Sequence, residues 1–374
     1  MAASQLPPAS DLPVDRLAAL FSSTTNAYKY LFFLALLDLL EATPDRADFS
    51  MREILVRLLE NAWYPHTYFR LSFGRQDQVA RTLDEMKLAV KATTPGAEQR
   101  KQLRAAIEKQ LTDKHVAKLS RFVPQRLIRP FFAREQLSGY ADHKVDARLA
   151  SLSRDRYDLD RPLYRLDGDQ VWVHPRWVEY LRVNGALVRG WALWSFASYM
   201  QSRNPNVPAV AAKLVPAPER GSIPAPARKL WTRAREQLGG LECPYSQAPV
   251  PEDFALDHFV PWTFVVHDQL WNLVPVDKSL NSSKGNRLPP ASTLDRLVSA
   301  HARALVAARP TYEGREWSTV VEPYIADLGV SKAALDAPDD PQAIFHALKP
   351  HYAQTLLPLL DLAKTRGFEA WSPI

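Results

Sequence analysis

Cysteine is almost absent from this sequence. The 374 residues contain one, Cys243, which excludes an internal disulfide framework and a zinc site built from four thiolates of this chain. Long apolar runs are also lacking, since the most apolar stretch, residues 30–40, is shorter than a bilayer span and contains Asp38. Residues 1–16 do not show the basic-then-apolar order of a secretory signal. We therefore expect a cytoplasmic protein without a membrane segment.

A strong excess of either charge is lacking too. The sequence has 47 Lys and Arg against 41 Asp and Glu, a formal net charge of +6 and a pI near 9.3. This balance favours a polyanionic partner but says nothing about the fold. With 46% apolar and 24% charged residues, the composition is that of a globular protein, and the length suits two or three packed units.

Helical patterns occupy most of the chain. We predict helices over residues 25–41, 51–62, 97–119, 176–199, 292–308, 316–328 and 341–366. Ser50 and Glu53 have the spacing of a capping box at the start of the second helix. Asp167-Gly168 lies between two β-like runs and predicts a hairpin. The four prolines between Leu214 and Pro226 indicate a domain boundary.

The most basic segment is residues 87–134. It contains twelve Lys or Arg and three acidic residues. Two interpretations remain open at this point. The segment is either a solvated helix face or a surface that contacts phosphates, which supply most of the non-specific affinity for nucleic acid.

The densest group of polar residues follows residue 256, where the chain reads DHFVPWTFVVHDQLWNLVPVDKSLNSSKGN. Residues 254–261 and 270–276 predict two short strands, and a helix follows from Ser279, which is a suitable cap. This strand, loop, strand and helix order would bring Asp257, His258 and Asn281 into one small volume.

These residue types suit phosphodiester hydrolysis. A histidine near its normal pKa can activate water at neutral pH, and His258 is our candidate, with His267 as a weaker second choice. The carboxylate of Asp257 and the amide oxygen of Asn281 are hard ligands suited to Mg²⁺ or Mn²⁺. The other histidines have no comparable neighbours in the sequence.

The segment resembles the motif of HNH (ββα-metal, or His-Me finger) endonucleases. From His258, Asn272 follows after 14 residues and Asn281 after 23. The resemblance implies that His258 is the general base, that Asp257 and Asn281 bind the metal, and that Asn272 orients the loop that carries the base. The run from Asn281 to Asn286 resembles the N-x-x-K-G-N helix segment of the family. It implies that Lys284 approaches phosphate, and we expect Lys278 and Arg287 to bind nucleic acid beside it.

The sequence departs from the family pattern in one respect. Many members hold a structural zinc with two C-x-x-C pairs, but this chain has CPYS at residues 243–246 and DKSL at residues 277–280. We therefore expect no structural zinc. The finger would then depend on packing by its large apolar side chains, for which the candidates are Trp262, Phe264, Trp271 and Leu280.

Together these patterns predict a mainly α protein, with helical N- and C-terminal regions around a small α+β (ββα-metal) nuclease finger. We divide the chain into 1–135, a helical region with the basic segment; 136–226, a helical region with the hairpin; 227–291, the finger; and 292–374, the C-terminal helices. The expected function is metal-dependent cleavage of DNA, with RNA as an open alternative, as the effector of a bacterial defence or restriction system. The competing hypothesis is an inactive nucleic-acid-binding or scaffold protein. Besides the nucleic acid, the expected partner is a second copy of this chain, in a homodimer, or a partner defence protein.

Overall fold

The computed structural model describes residues 6–74, 77–90, 96–121, 123–214, 222–336 and 339–372. The chain forms two compact units: Met1–Pro205 with Val210–Glu219, and Asn206–Ala209 with Arg220–Ile374. Residues 215–221, inside the stretch where we predicted a domain boundary, lie outside the described residues, as do 91–95 and 122 of the basic segment. Throughout the described ranges, every helix is too short or too polar to cross a membrane.

The first unit is mainly α. Its α-helices are α1 (Val14–Ala18), α2 (Tyr28–Ala42), α3 (Met51–Trp63), α4 (Gln78–Met86), α5 (Ala97–Gln110), α6 (Asp113–Leu119), α7 (Val123–Leu127), α8 (Asp142–Asp155), α9 (Tyr157–Asp160) and α10 (Pro175–Arg203). A π-helical turn, Tyr64–Tyr68, continues α3. Its strands are β1 (Asp48–Ser50), β2 (Tyr164–Asp167) and β3 (Gln170–Val173).

Helix α2 lies at the centre of this unit because it is apolar on nearly every side. Most of its side chains are buried, and it packs against α3 and α10. The predicted capping box is confirmed, because the Ser50 side chain accepts from the Glu53 backbone N–H while the Glu53 carboxylate accepts from the Ser50 N–H. The predicted hairpin is also confirmed as β2 and β3, but β1 joins it as a third, antiparallel strand.

The second unit contains the predicted finger and the C-terminal helices. Its α-helices are α11 (Ala225–Leu238), α12 (Trp262–Val265), α13 (Lys278–Lys284), α14 (Leu294–Ala308), α15 (Gly314–Ala326), α16 (Lys332–Asp336) and α17 (Pro341–Thr365), and its strands are β4 (Ala255–His258) and β5 (Leu273–Val276). Helix α14 packs against α11 and α17. The mainly α fold around a small ββα finger is therefore confirmed.

Both strands of the finger are shorter than the sequence patterns predicted, and its helix α13 begins at a different capping residue. Strands β4 and β5 pair antiparallel, with Asp257 opposite Val274 and His258 opposite Leu273. Residues Leu270–Asn272, predicted as strand, form a 3₁₀ turn. The cap of α13 is Asp277, whose carboxylate accepts from the backbone N–H of Ser279 at 2.7 Å. The prediction of Ser279 as the cap was therefore wrong by two residues.

Several cations of the basic segment have acidic partners inside the first unit. Arg104 donates twice to Glu60, and Lys118 pairs with Glu85 at 3.1 Å. Arg126 binds Asp142 and Asp146, which both belong to α8. These contacts fasten α5, α6 and α7 within the unit, and a phosphate-contacting role for the segment stays a prediction.

Candidate active site

The end of β4 and the end of α13 meet at one buried cluster. Asp257 and His258 are the last two residues of β4, and α13 packs on this strand. Lys284, the last residue of α13, reaches back to both of them. All three residues are less than 5% exposed. The structure therefore brings three of the predicted site residues together in one buried cluster of charged side chains.

The carboxylate of Asp257 is held from two sides. The Lys284 ammonium lies 2.9 Å from Oδ2 and 3.3 Å from Oδ1, and it also donates to the backbone oxygen of His258 at 2.6 Å. The Tyr245 hydroxyl donates to Oδ2 at 2.7 Å. Burial, and next the nearby Asp257 charge, raise the pKa of Tyr245 well above its ordinary value, so the phenol keeps its proton and remains a donor.

The ring of His258 is oriented by a residue that the sequence patterns did not single out. Nε2 lies 2.7 Å from Oδ1 of Asp268, in the loop between the two strands of the finger. The His258 side chain is 3% exposed and that of Asp268 is 23% exposed. The only hint in the sequence is that Asp268 is the second acidic residue of the run DHFVPWTFVVHD. Its spacing from His258 does not show that the loop brings the two side chains together.

Asn272 ties the end of that loop to the residues that follow His258. Its side-chain oxygen accepts from the Val260 N–H at 2.8 Å and its amide donates to the Val260 oxygen at 2.9 Å. Its backbone oxygen accepts from the Phe259 N–H at 2.8 Å. Asn272 is completely buried, and these contacts fix the backbone next to His258.

The remaining predicted site residues lie on or beside α13. Asn281 is partly exposed and lies three residues before Lys284, on the same side of α13. Lys278 pairs with Asp253 at 2.6 Å on the surface. Arg287 donates to the backbone oxygen of Ser283. Lys284, expected to approach phosphate, is instead buried and bound to Asp257.

His267, our second choice for a base, has a different environment from His258. Burial lowers its pKa to about 4, and the charge of His258 adds to this effect. Its ring centroid lies 5.1 Å from that of Trp271, and its Nδ1 accepts from the Gln269 N–H. His267 is therefore a neutral packing and hydrogen-bonding residue of the loop at neutral pH.

The donor set suits a divalent cation held by few protein ligands. Within the described ranges, no three His, Cys, Asp or Glu side chains form a group that could hold a metal. One carboxylate and one amide, Asp257 and Asn281, are hard oxygen donors of the kind that Mg²⁺ and Mn²⁺ use, with water and substrate phosphate completing the shell. The Asp257 carboxylate already holds one cation, the Lys284 ammonium. The donor types therefore fit such an ion, and the Lys284 ammonium would have to leave the Asp257 carboxylate for the ion to bind.

Comparison with known proteins gives the same location. Residues 243–290 match the family model described as HNH endonuclease. Comparison with curated proteins and with solved structures finds no significant match. The matched segment contains Asp257, His258, Asn272, Asn281 and Lys284. Residues 243–290 are thus similar to HNH endonucleases, which implies a nucleic-acid substrate, and the match leaves the helices on both sides of this segment without a counterpart.

Proposed function

We propose that this chain is a metal-dependent endonuclease that hydrolyses phosphodiester bonds of DNA. The observation that supports this is the convergence, inside the segment that matches HNH endonucleases, of Asp257 and His258 with Lys284 of α13, the helix that also carries Asn281. A buried charge costs free energy unless it is compensated. Packing alone would therefore not favour an acid, a histidine and a lysine in one buried cluster.

Each residue has a distinct role in this proposal. His258 accepts a proton from the attacking water. Asn272 keeps the backbone beside His258 in place through its two bonds to Val260. Asp257 and Asn281 hold a divalent cation, which when bound stabilises negative charge on the phosphate and on the leaving oxygen.

Access to the site requires a local change. The side chains of Asp257, His258 and Lys284 are at most 5% exposed, so a phosphate oxygen cannot contact them in this arrangement. We propose that cation and substrate binding separate Lys284 from Asp257. The released ammonium would then be placed at the same end of α13 as the substrate phosphate, which is where the family resemblance puts it.

Contacts to the nucleic-acid backbone would come from cations around the finger. Lys278 has a side chain that is 64% exposed, and Arg287 lies directly after α13. The basic segment of the first unit would add affinity that falls with salt. One finger cuts one strand, so double-strand cleavage would need a homodimer or two successive cuts. A role as the effector of a defence or restriction system, with a partner protein, is part of this proposal.

A nucleic-acid-binding module without turnover is the second candidate. The ion pair between Lys284 and Asp257 favours it, because it neutralises a proposed metal ligand. The same experiment separates the two functions. Purified protein is incubated with supercoiled plasmid, linear DNA, single-stranded DNA and RNA, with Mg²⁺, with Mn²⁺ and with a chelator.

The decisive variant is His258→Ala, with His267→Ala as the matched control. We expect the wild type and His267→Ala to nick plasmid with either cation. His258→Ala should bind DNA with unchanged affinity and cleave nothing. Retained cleavage by His258→Ala would refute the assignment of the base, and absence of cleavage by the wild type under every condition would support the binding module.

A further inference from the structure

The contact between Asp268 and His258 assigns a role to a residue outside the expected motif positions. We propose that Asp268 is a positioning residue that holds His258 in the tautomer with the proton on Nε2 and so presents Nδ1 to the attacking water. This inference rests on the proposed function. It adds to that function a residue that acts through the histidine and not on the substrate.

The geometry of the pair determines which ring nitrogen carries the proton. An ionised carboxylate can only accept hydrogen bonds. With Oδ1 of Asp268 at 2.7 Å from Nε2, the Nε2 atom must be the donor. In a neutral imidazole the other nitrogen then has the lone pair, so Nδ1 is the basic atom. The side chain of His258 is 3% exposed, so this contact is made inside the domain and not in open solvent.

The loop between the strands is built to return Asp268 to the histidine. Helix α12 is one turn long and is followed by Val266 in the left-handed conformation, with φ of 57°. A β-branched residue is strained there, and such strain persists only where the surrounding structure imposes it. This residue lies two positions before Asp268, at the end of α12.

Contacts after Asp268 fix the other end of the loop. The Trp271 indole N–H donates to Asp327, at the end of α15, at 3.0 Å. Asn272 closes the loop on Val260 with the pair of bonds described above. Asp268 therefore lies a few residues before a segment that is hydrogen-bonded to both α15 and the residues after β4.

A purely structural role would give a different result from a positioning role. A structural pair contributes to stability, and its loss would affect every property of the domain. A positioning residue affects the proton-transfer step and leaves substrate and metal binding unchanged. Partners that orient metal-binding histidines typically contribute about 10–100-fold, and we take this as the scale for a partner of a catalytic histidine. We therefore expect Asp268→Ala to lower kcat for plasmid nicking by about 10–100-fold, with KM and Mn²⁺ affinity unchanged.

The test combines kinetics with a measurement on the metal-free protein. The ¹⁵N chemical shifts of the His258 ring, recorded by NMR at a pH where the ring is neutral, report the tautomer without any need for activity. We expect the Nε2–H form in the wild type. In Asp268→Asn the side-chain amide can donate to Nε2, so we expect a shift toward the Nδ1–H form and a lower kcat. Asp268→Glu retains the carboxylate and should recover part of the activity.

Asp253→Ala is the matched control, because it removes the same charge from the exposed surface of the domain, where Asp253 pairs with Lys278. It should leave the tautomer and kcat unchanged. An Nδ1–H ring in the wild type, or a kcat of Asp268→Ala equal to that of the wild type, would overturn the proposal while leaving the nuclease function intact. A wild type that cleaves nothing would refute the proposed function, and the tautomer would still decide the role of Asp268.

Discussion

Replacement of Lys284 by methionine tests whether the buried ion pair is the central electrostatic contact of the finger. The ammonium and the Asp257 carboxylate are 2.9 Å apart, and their side chains are 1% and 5% exposed. Methionine fills a similar volume but removes the charge. Asp257 would keep the Tyr245 hydroxyl as a donor and lose its compensating cation.

The expected loss of stability in Lys284→Met follows from the burial of the ion pair and not from its N–O distance. Removal of one partner from a buried pair costs about 3–5 kcal/mol of the free energy of unfolding. Lys278→Met is the control, since Lys278 and Asp253 are closer, at 2.6 Å, but their side chains are 64% and 75% exposed. An exposed pair contributes less than about 1 kcal/mol. Loss of the cation should therefore cost more stability in the longer, buried pair than in the shorter, exposed one.

Urea unfolding followed by tryptophan fluorescence measures both changes, with Mn²⁺ and with a chelator. In Lys284→Met, Asp257 should accept the metal without competition, so Mn²⁺ should stabilise this variant more than the wild type. The double variant with Asp257→Asn should recover most of the lost stability, because both charges are then absent. A loss below about 1 kcal/mol for Lys284→Met, equal to that of Lys278→Met, would refute the argument from burial.

Two further substitutions test buried polar residues of the second unit, Asn272 and His301. Asn272→Ala leaves the backbone N–H and oxygen of Val260 without their partners. We therefore expect the free energy of unfolding in urea to fall by about 2–4 kcal/mol. A loss below about 1 kcal/mol would show that these two bonds do not hold the loop. His301 is completely buried and its pKa is lowered to about 3. The unfolded state, with a histidine pKa near 6.5, binds more protons below that pH. Stability is therefore lost as the pH falls from 6.5 toward 3, by about 2 kcal/mol at pH 5. His301→Phe should remove this part of the pH dependence, and an unchanged slope would contradict it.

The local part of the fold could be predicted because its signals are local. Helices α2, α3, α10, α14, α15 and α17 follow from apolar patterns, and the Ser50 capping box follows from a three-residue spacing. The single helix predicted over residues 97–119 is instead two, α5 and α6, because Thr112 caps a new helix. The same reasoning could not choose between Asp277 and Ser279 as the cap of α13, since both residue types are suited to that position. It also missed β1, whose three residues have no pattern of their own and become a strand by pairing with β3.

The contacts that set the electrostatics of the site were beyond prediction for a physical reason. Lys284 meets Asp257 across 27 residues only because α13 packs on β4. Asp268 meets His258 across ten residues, through a loop that contains Val266 in a left-handed conformation that valine rarely adopts. The motif spacing predicts the candidate base and ligands, whereas the partners of those residues depend on how the helix and the loop pack on β4.

The packing of this finger also holds Asp257, the proposed metal ligand, although the segment has only one of the four thiols of a zinc knuckle. Tyr245 lies in the CPYS segment, next to the position of the missing thiolates, and its hydroxyl binds Asp257. Its ring stacks at 6.1 Å from Phe259 and lies edge-on at 5.2 Å from Trp371. The Trp371 backbone N–H in turn donates to the Leu288 oxygen at 2.7 Å. Aromatic contacts with the C-terminal residues thus stabilise the segment that a structural zinc would otherwise fix, and they place a hydrogen-bond donor on the proposed metal ligand.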